Sequence, residues 1–464
     1  MKLAFHGADQ GVTGSCHLLE CGDTRILIDC GLYQGGRELQ EENRDALGFD
    51  PATVDYLLLT HAHLDHCGRI PLLMERGFRG EIITTAATRE LAKLVMLDAA
   101  HLQEEEAEWQ NRRASRHGRK HKQVEPLYTV LDALNALDYF GRTASYDKPL
   151  ELAPGIVATF VDAGHILGSA SILLQVDNGE GQRRILFSGD LGSPGRPILR
   201  DPAPRPIADV VVMETTYGDR AHKMLQPSID ELYEAVQQTF ARGGNVIMPT
   251  FALERAQELL YYLREGMENG HLPKSIQVFL DSPMAISATE IFRRHPECFD
   301  AEARELFREG RDPFALPGLH FTRETASSIA LNRIGGGAVI LAGSGMCTGG
   351  RVRHHLRHHL WRHDSSVIFV GYAARGTLAR RIIDGARSVH IFREETPVNA
   401  RIHTIGGFSA HADRGELLAW WHSAKPPRTT VLVHGDPEAM QSFAAALPQG
   451  SKVLLPALHD ELAI

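Results

Sequence analysis

Three histidines and one aspartate lie within six residues of the sequence, directly after an apolar run that predicts a buried strand: His61, His63, Asp65 and His66. Imidazole and carboxylate groups are rarely buried without partners, so core packing does not account for this cluster. Alternate spacing directs His61 and His63 toward one point, and the turn that follows directs Asp65 and His66 toward a second. This arrangement suits a pair of metal ions.

Two metal ions need further ligands from distant parts of the chain, including a carboxylate that can bridge them. Three candidates stand at or just beyond the end of an apolar run: His165 in AGHILGSA, Asp190 in FSGDLGS and His434 in LVHGD. A ligand set of imidazoles and carboxylates without thiolates suits zinc best. Manganese and iron are the alternatives.

The elements that must position these groups are short strands. Four apolar runs each end in a polar residue followed by a loop, as buried strands do when they carry functional groups at their C-terminal ends. These runs are residues 25–31, 54–61, 155–165 and 183–190. We expect them to deliver Asp29, His61, His165 and Asp190 to one edge of the fold.

The pattern of elements changes along the chain and predicts two domains. Residues 206–395 alternate strands with helices, which predicts a mostly parallel sheet with helices on both faces. After that region the pattern of the first part returns. We therefore predict a first domain made of residues 1–205 and 396–464, interrupted by a second domain of residues 206–395.

Composition excludes several classes of protein. The chain has 464 residues and a formal charge of −9, from 49 Lys and Arg against 58 Asp and Glu, which argues against a broad nucleic-acid-binding surface and allows a local basic groove. No apolar run approaches the roughly 18 residues that span a bilayer, and the first residues do not form a signal peptide. Six cysteines without a CxxC pair fit reduced thiols. We expect a cytoplasmic protein without a membrane segment.

The motifs around the predicted ligands resemble those of a known superfamily. HAHLDH at residues 61–66, together with His165, Asp190 and His434, is similar to the ligand motifs of the metallo-β-lactamase superfamily, and Asp29 matches the acid of its first motif. This resemblance implies an α/β fold, the αββα sandwich of the metallo-β-lactamases, for the domain that carries the ligands.

Three further motifs resemble the β-CASP branch of that superfamily, whose members are nucleases: Glu214 in ETTYGDR, His411 in GFSAHAD and His434 in VLVHGD. The branch implies an inserted α/β β-CASP domain with a mostly parallel sheet. The resemblance runs from the first strand to the last and covers essentially the whole chain.

Carried over to this sequence, the family implies two zinc ions with one shared ligand. The first ion is held by His61, His63, His165 and Asp190, and the second by Asp65, His66, Asp190 and His434. A water shared by the ions is the implied nucleophile, and Asp65 is implied in catalysis as well as in metal binding. Asp29 is implied to support the ligands. His411 is the implied proton donor to the departing 3′ oxygen, with Glu214 orienting it.

The family also favours RNA as the substrate. His434 and Glu214 are the residue types found in the RNA-cleaving members, a group that includes the endonuclease subunit of the cleavage and polyadenylation specificity factor and its prokaryotic relatives. We expect a zinc-dependent endoribonuclease that acts on single-stranded RNA. The sequence leaves open whether the protein also has 5′ to 3′ exonuclease activity and whether it forms a homodimer. The alternatives are a small-molecule metallohydrolase of the glyoxalase II or lactonase type and a noncatalytic RNA-processing scaffold.

A glycine-rich loop is the predicted site for RNA phosphates. The loop at residues 342–352 follows a strand and opens a helix, so its backbone NH groups and the helix dipole can receive an anion. The predicted phosphate contacts are Ser344, Gly345, Thr348, Gly349, Arg351, Arg255 and Ser409. The histidines of the run at residues 351–363 are expected to add positive charge when they are protonated.

Overall fold

Two units make up the structure, a computed structural model that describes residues 1–116, 123–177, 179, 181–371, 373–374 and 376–464. Unit 1 comprises Met1–Gly195, Asp201–Ala221 and His411–Ile464, and unit 2 comprises Arg196–Arg200 and His222–Ala410. The chain therefore leaves unit 1, forms unit 2 and returns to complete unit 1.

Strands and helices are numbered separately, each in chain order. The strands of the described residues are β1 (Lys2–Phe5), β2 (His17–Cys21), β3 (Thr24–Ile28), β4 (Tyr56–Leu58), β5 (Glu81–Thr85), β6 (Phe140–Ala144), β7 (Leu150–Ala153), β8 (Ile156–Asp162), β9 (Ala170–Asp177), β10 (Gln182–Phe187), β11 (Val210–Glu214), β12 (Val246–Pro249), β13 (Gln277–Leu280), β14 (Leu319–Phe321), β15 (Ala338–Ala342), β16 (Ser366–Val370), β17 (Ser388–Ile391), β18 (Glu394–Pro397), β19 (Arg401–Ile405), β20 (Thr429–Val433), β21 (Val453–Leu454) and β22 (Glu461–Ala463). The helices are α1 (Arg37–Glu42), α2 (Leu64–Cys67), α3 (Ile70–Glu75), α4 (Ala86–Arg116), α5 (Val130–Ala136), α6 (Leu225–Ala241), α7 (Arg255–Glu268), α8 (Pro283–Arg294), α9 (Ala301–Arg308), α10 (Thr325–Leu331), α11 (Val352–His359), α12 (Leu378–Ile383), α13 (Arg414–His422) and α14 (Pro437–Ala446).

Unit 1 is a sandwich of two sheets. Their strand orders are β22-β1-β2-β3-β4-β5-β6 and β21-β20-β11-β10-β9-β8-β7. The inner faces share one apolar core, in which Phe5 and Ile28 of the first sheet pack with Phe160 of the second. Helix α4 packs against β5 and β6 on the first sheet, and α13 and α14 cover the second through Trp421 and Phe443. The predicted αββα sandwich is confirmed.

The strands that lead to the predicted ligands come from both sheets. Strands β3 and β4 are parallel neighbours in the first sheet, and β10, β11 and β20 are parallel neighbours in the second. Parallel strands bring their C-terminal ends to the same edge. The strands expected over residues 25–31, 54–61, 155–165 and 183–190 are all present, as β3, β4, β8 and β10. They meet at one end of a sandwich and not along a single sheet.

Two strands join sheets that the predicted domain boundaries do not give them. Strand β11 lies between β10 and β20 in unit 1, although residues 206–395 were assigned to the second domain. Strand β19 pairs with β16 in unit 2, although residues from 396 onward were assigned to the first domain. Both strands find partners far away in the sequence, and a local apolar pattern carries no information about such partners.

Unit 2 contains a parallel sheet with helices on both faces, as the sequence predicted. Its order is β14-β13-β15-β12-β16-β19, and all of its strand pairs are parallel. Thr239 of α6 contacts Ser366 of β16, with 2.7 Å between the hydroxyl oxygens. The next residue, Val367, packs in a core with Leu356 of α11. Since successive strand residues point to opposite faces, α6 and α11 cover opposite faces of this sheet.

No described helix, including α4, is long and apolar enough to cross a membrane.

A fully buried carboxylate ties together three elements of unit 2. Asp281 follows β13, and its Oδ1 accepts a hydrogen bond from Arg351 Nη1 at 2.7 Å. Its Oδ2 accepts hydrogen bonds from Ser328 Oγ and His355 Nε2, both at 2.6 Å. Burial opposes ionisation, but these donors hold the pKa of Asp281 below its ordinary value of 3.8.

Replacing this carboxylate should destabilise the fold. In Asp281→Asn the partly exposed guanidinium of Arg351 loses its counter-charge, and the new amide accepts fewer hydrogen bonds from Ser328 and His355, so we expect the free energy of unfolding at neutral pH to fall by about 1–3 kcal/mol. Because the folded-state pKa lies below the unfolded one, the contribution of Asp281 is present above pH 3.8 and is lost as the pH falls through the folded-state pKa. Denaturant unfolding at pH 7 and at pH 3 measures both effects.

The exposed ion pair between Asp384 and Arg380 supplies the matched control. Asp384→Asn is expected to leave unfolding unchanged, because exposed pairs contribute little. A loss of less than about 1 kcal/mol in Asp281→Asn would contradict a role for this carboxylate in holding unit 2 together.

Candidate metal centre

Each predicted ligand lies just after a strand of unit 1 or in the short helix beyond it. His61 follows β4 by three residues, His165 follows β8 by three, Asp190 follows β10 by three, and His434 comes directly after β20. Helix α2 begins one residue after His63 and carries Asp65 and His66. Five of these side chains are almost fully buried: His61, His66, His165, Asp190 and His434. The tertiary structure therefore brings all seven predicted ligands together.

Four ligand atoms form a first group. His63 Nδ1 lies 3.1 Å from His61 Nε2 and 3.1 Å from His165 Nε2. Asp190 Oδ2 lies 3.5 Å from His61 Nε2 and 3.6 Å from His165 Nε2. Ligands placed tetrahedrally at zinc distances are about 3.3 Å apart. The spacing of these atoms fits one metal ion.

A second group lies on the other side of Asp190. His66 Nε2 is 3.2 Å from His434 Nε2, and His434 Nε2 is 3.5 Å from Asp65 Oδ2. Asp190 turns its other oxygen to this group, since Oδ1 lies 3.3 Å from His66 Nε2. That buried oxygen accepts no regular hydrogen bond from the described residues. A cation between the groups would satisfy it, so the donor set fits a second ion bridged by Asp190.

Burial and charge prepare these groups to bind a cation. Burial lowers the pKa of His61 well below 6.5 and that of His63 to about 4, so both imidazoles are neutral and offer a lone pair. Burial opposes ionisation of Asp190, but the imidazoles of His434, His66 and His61 hold its pKa well below the ordinary value. The carboxylates of Asp190 and Asp29 raise the pKa of His66 above its ordinary value against the effect of burial, so a metal ion that binds this imidazole would displace its proton.

Asp29 sets the orientation of the His66 ring through a hydrogen bond to Nδ1, the nitrogen that does not face the other ligands. Its carboxylate accepts hydrogen bonds from Thr60 N and Thr60 Oγ1, both at 2.8 Å, and from His66 Nδ1 at 2.7 Å. With its proton on Nδ1, His66 turns the lone pair of Nε2 toward Asp190 and His434. The sequence analysis missed Thr60, whose only signal was its position directly before His61.

His411 and Glu214 lie beside the first group. Glu214 is buried, and its Oε1 accepts a hydrogen bond from Leu191 N at 2.6 Å. His411 Nδ1 lies 3.3 Å from the same oxygen and 3.9 Å from Asp190 Oδ2. Burial opposes protonation of His411, but the charges of Glu214, Asp190 and Asp65 raise its pKa to about 9. The imidazolium is therefore favoured, and it can donate a proton.

The predicted phosphate contacts lie in unit 2. Ser344, Gly345, Thr348 and Gly349 occupy the loop after β15, where Ser344 Oγ is 3.5 Å from Thr348 Oγ1 and accepts a hydrogen bond from Gly349 N at 3.4 Å. Ser409 is buried near the end of unit 2. Their contact with phosphate stays a prediction.

The two arginines predicted to bind phosphate have protein partners. Arg351 donates to Asp281 Oδ1 and, at 2.8 Å, to the carbonyl oxygen of Thr322. Arg255 is buried and pairs with Glu258 on the next turn of α7. Arg351 therefore links the residues that follow β13 and β14, Arg255 pairs within its own helix, and a phosphate would have to share both guanidinium groups.

The expected positive charge on the histidine run is wrong for His359. His355 and His359 are fully buried on α11 instead of facing solvent. Burial lowers the pKa of His359 to about 3, so this residue is neutral at physiological pH. Helical spacing places these two residues, four apart, on the side of α11 that packs on the sheet.

Comparisons with known families cover nearly the whole chain. Residues 9–249 match the metallo-beta-lactamase superfamily, residues 256–382 match the Beta-Casp domain, and residues 395–456 match the Zn-dependent metallo-hydrolase RNA specificity domain.

Similar proteins are found in bacteria and archaea. The chain is 40% identical to "Ribonuclease TTHA0252" of Thermus thermophilus over 98% of both chains. It is 32% identical to "Transcription termination factor FttA" of Methanocaldococcus jannaschii, over 96% of this chain and 68% of that protein. The FttA of Pyrococcus horikoshii is 34% identical over 96% of this chain and 68% of its own length.

A solved structure shares the fold alone. A protein of unknown function from Enterococcus faecalis superposes with a TM-score of 0.54 at 12% identity, over 100% of this chain and 99% of that one.

Removing the support behind His66 should weaken metal binding. In Asp29→Asn an amide NH2 group can face His66 Nδ1–H, so a donor meets a donor. We expect the affinity for zinc at the Asp65, His66 and His434 group to fall by about 10- to 100-fold. Titration against a competing chelator, with metal content measured by mass spectrometry, checks the result.

Asp23→Asn, in the exposed turn between β2 and β3, is the matched control and should bind zinc as the unmodified protein does. Equal zinc affinity in Asp29→Asn and Asp23→Asn would exclude the orienting role of Asp29.

Proposed function

This chain belongs to the β-CASP branch of the metallo-β-lactamase superfamily, and we propose that it hydrolyses phosphodiester bonds of single-stranded RNA with two bound zinc ions. The observation that carries the proposal is the pair of ligand groups that share Asp190, with His411 beside them. The names of the relatives support RNA as the substrate, since the 40% identical protein is called a ribonuclease and the match at residues 395–456 is an RNA specificity domain. We place the reaction in the cytoplasm.

The two groups would each hold one ion. His61 Nε2, His63 Nδ1, His165 Nε2 and Asp190 Oδ2 would bind the first, and Asp65 Oδ2, His66 Nε2, His434 Nε2 and Asp190 Oδ1 the second. Bound zinc supplies Lewis acidity, which lowers the pKa of a water toward neutrality and stabilises negative charge on the phosphoryl group. The high share of imidazole favours zinc over manganese.

The chain's own residues would supply the proton for the leaving group. Glu214 is fixed by Leu191 N and faces His411 Nδ1, which leaves His411 Nε2 as the nitrogen that can donate. Donation from Nε2 to the departing 3′ oxygen neutralises the alkoxide as the P–O bond breaks. Glu214 holds the imidazolium in place and stabilises its charge. Asp65 keeps its carboxylate next to His434 and adds to the negative potential at the site.

The other two functions considered fit less well. A glyoxalase or lactonase needs the ligand groups, but it has no use for the Glu214–His411 pair or for the inserted unit of residues 222–410. A noncatalytic scaffold has no use for seven converging ligands.

Replacing His411 should separate cleavage from metal binding. We expect His411→Ala to keep its zinc and to cut single-stranded RNA about 10²- to 10⁴-fold more slowly, because a general acid contributes that much. His434→Ala should also lose activity, but together with zinc of the second group. The measurements are zinc content per chain and the rate of cleavage of a 5′-labelled RNA.

His422→Ala, an exposed histidine on α13, is the control and should cut at the rate of the unmodified protein. RNAs with a 5′ hydroxyl, monophosphate or triphosphate show the mode of attack. Internal fragments from all three indicate an endonuclease, and mononucleotides from the monophosphate alone indicate a 5′ exonuclease. Undiminished cleavage by both His411→Ala and His434→Ala would disprove the assignment.

A further inference from the structure

Strands β12 and β15 lie side by side in the middle of the unit 2 sheet, and their C-terminal ends share one edge. They are parallel neighbours, with Pro249 opposite Ala342, and the helices that follow them are α7 and α11. Helix α7 packs with α6, since Tyr233 of α6 donates a hydrogen bond to the carbonyl oxygen of Tyr262 in α7 at 2.8 Å. Because α6 and α11 cover opposite faces, the chain leaves these two strands in opposite directions. In parallel α/β sheets, ligands bind in the crevice at such a point.

An exposed aromatic ring lies at this edge. Phe251 follows β12 by two residues, and 46% of it is exposed. Its ring lies against the backbone of Gly345, where an added Cβ would come within 2.8 Å of Cε2 and 2.9 Å of Cδ2. A side chain at position 345 would push the ring out of this place. The loop after β15 thus supports one side of Phe251 while the rest of the ring faces solvent.

Hydroxyl groups lie in the same loop. Ser344 precedes Gly345 and Thr348 follows it, with 3.5 Å between their hydroxyl oxygens. Ser282, two residues after β13 and at the start of α8, lies next to Gly343. An aromatic ring beside hydroxyl groups matches a nucleotide, which presents a flat base and a polar sugar and phosphate.

Two other exposed aromatic residues in the described part of unit 2 have different surroundings. Phe392 is covered on one side by the guanidinium of Arg353, 4.6 Å from its ring centre, and lies 4.4 Å from the His354 ring. Trp361 lies between α11 and the N-terminal end of β16, and its carbonyl oxygen accepts a hydrogen bond from Asn399 Nδ2 at 3.1 Å. Phe251 therefore differs from both, because it lies at the C-terminal edge of the parallel sheet.

We propose that Phe251 is a stacking platform for one base of the single-stranded RNA, with the loop at residues 343–349 receiving the adjoining sugar and phosphate. This inference rests on the proposed function and deepens it, because it names a residue that contacts the substrate away from the metal centre. Stacking accepts every base, so Phe251 contributes affinity with little sequence preference.

Binding of a 5′-fluorescein-labelled single-stranded RNA, measured by anisotropy in the cleavage-impaired His411→Ala protein, tests the inference. Phe251→Ala and Phe251→Leu should both weaken binding by about 5- to 150-fold, as the loss of one stacked base does. Phe251→Trp should bind within about threefold of the parent, since it keeps a stacking ring. Trp361→Ala, which removes an aromatic of 54% exposure, is the matched control and should bind as the parent does.

A set of RNAs, each with one abasic position, identifies the stacked base. The parent protein should bind one of them more weakly than the others, and Phe251→Ala should lose that difference. Unchanged affinity in Phe251→Ala and Phe251→Leu, or an abasic penalty that persists in Phe251→Ala, would overturn the inference while cleavage by the unmodified protein leaves the proposed function standing. Failure of the unmodified protein to cut RNA at all would overturn both. Thermal unfolding shows that each variant is folded.

Discussion

One buried carboxylate, Asp190, is the interaction on which the rest of unit 1 depends. It lies between two groups of imidazoles and turns one oxygen to each. A carboxylate without solvent is costly unless positive charge surrounds it, so the strands must bring partners to it from both sides. The sandwich does this because β4, β8, β10 and β20 belong to two facing sheets whose ends meet at one place. A single sheet would line these groups up along an edge and could not enclose the carboxylate.

The residues behind the metal ligands have a defined role as well. Each imidazole must present a lone pair from a chosen nitrogen, and a fixed hydrogen bond on its other nitrogen makes that choice. Asp29 does this for His66, and it is itself held by two donors of Thr60. Glu214 does the corresponding work for His411, a residue that keeps its proton and does not give up a lone pair. Two buried carboxylates thus have different roles. Asp29 orients an imidazole that binds metal, and Glu214 orients an imidazolium that donates a proton.

Unit 2 uses its charged residues for another purpose. Asp281 accepts hydrogen bonds from Arg351, His355 and Ser328, and Arg255 pairs with Glu258. Charged side chains that the sequence offers for binding phosphate are therefore already bound to other protein groups. The groups exposed beside the ends of β12 and β15 include a phenyl ring and hydroxyl groups. This division agrees with a chain whose net charge is −9. Recognition by stacking and neutral hydrogen bonds needs no broad basic surface, and it leaves the chemistry to the metal centre.

The sequence by itself determined the residues that could do chemistry and the elements that carry them. The seven predicted ligand residues, the strands before His61, His165 and Asp190, and the parallel sheet of unit 2 were all predictable, because buried strands and polar strand ends leave local patterns. Only the tertiary structure decided which sheets β11 and β19 join and which oxygen of Asp190 faces which ligand group. It also decided that His359 is neutral and that Arg351 is bound to Asp281. The physical reason is that pairing, burial and counter-charge come from residues distant in the chain, and a local pattern contains no record of them.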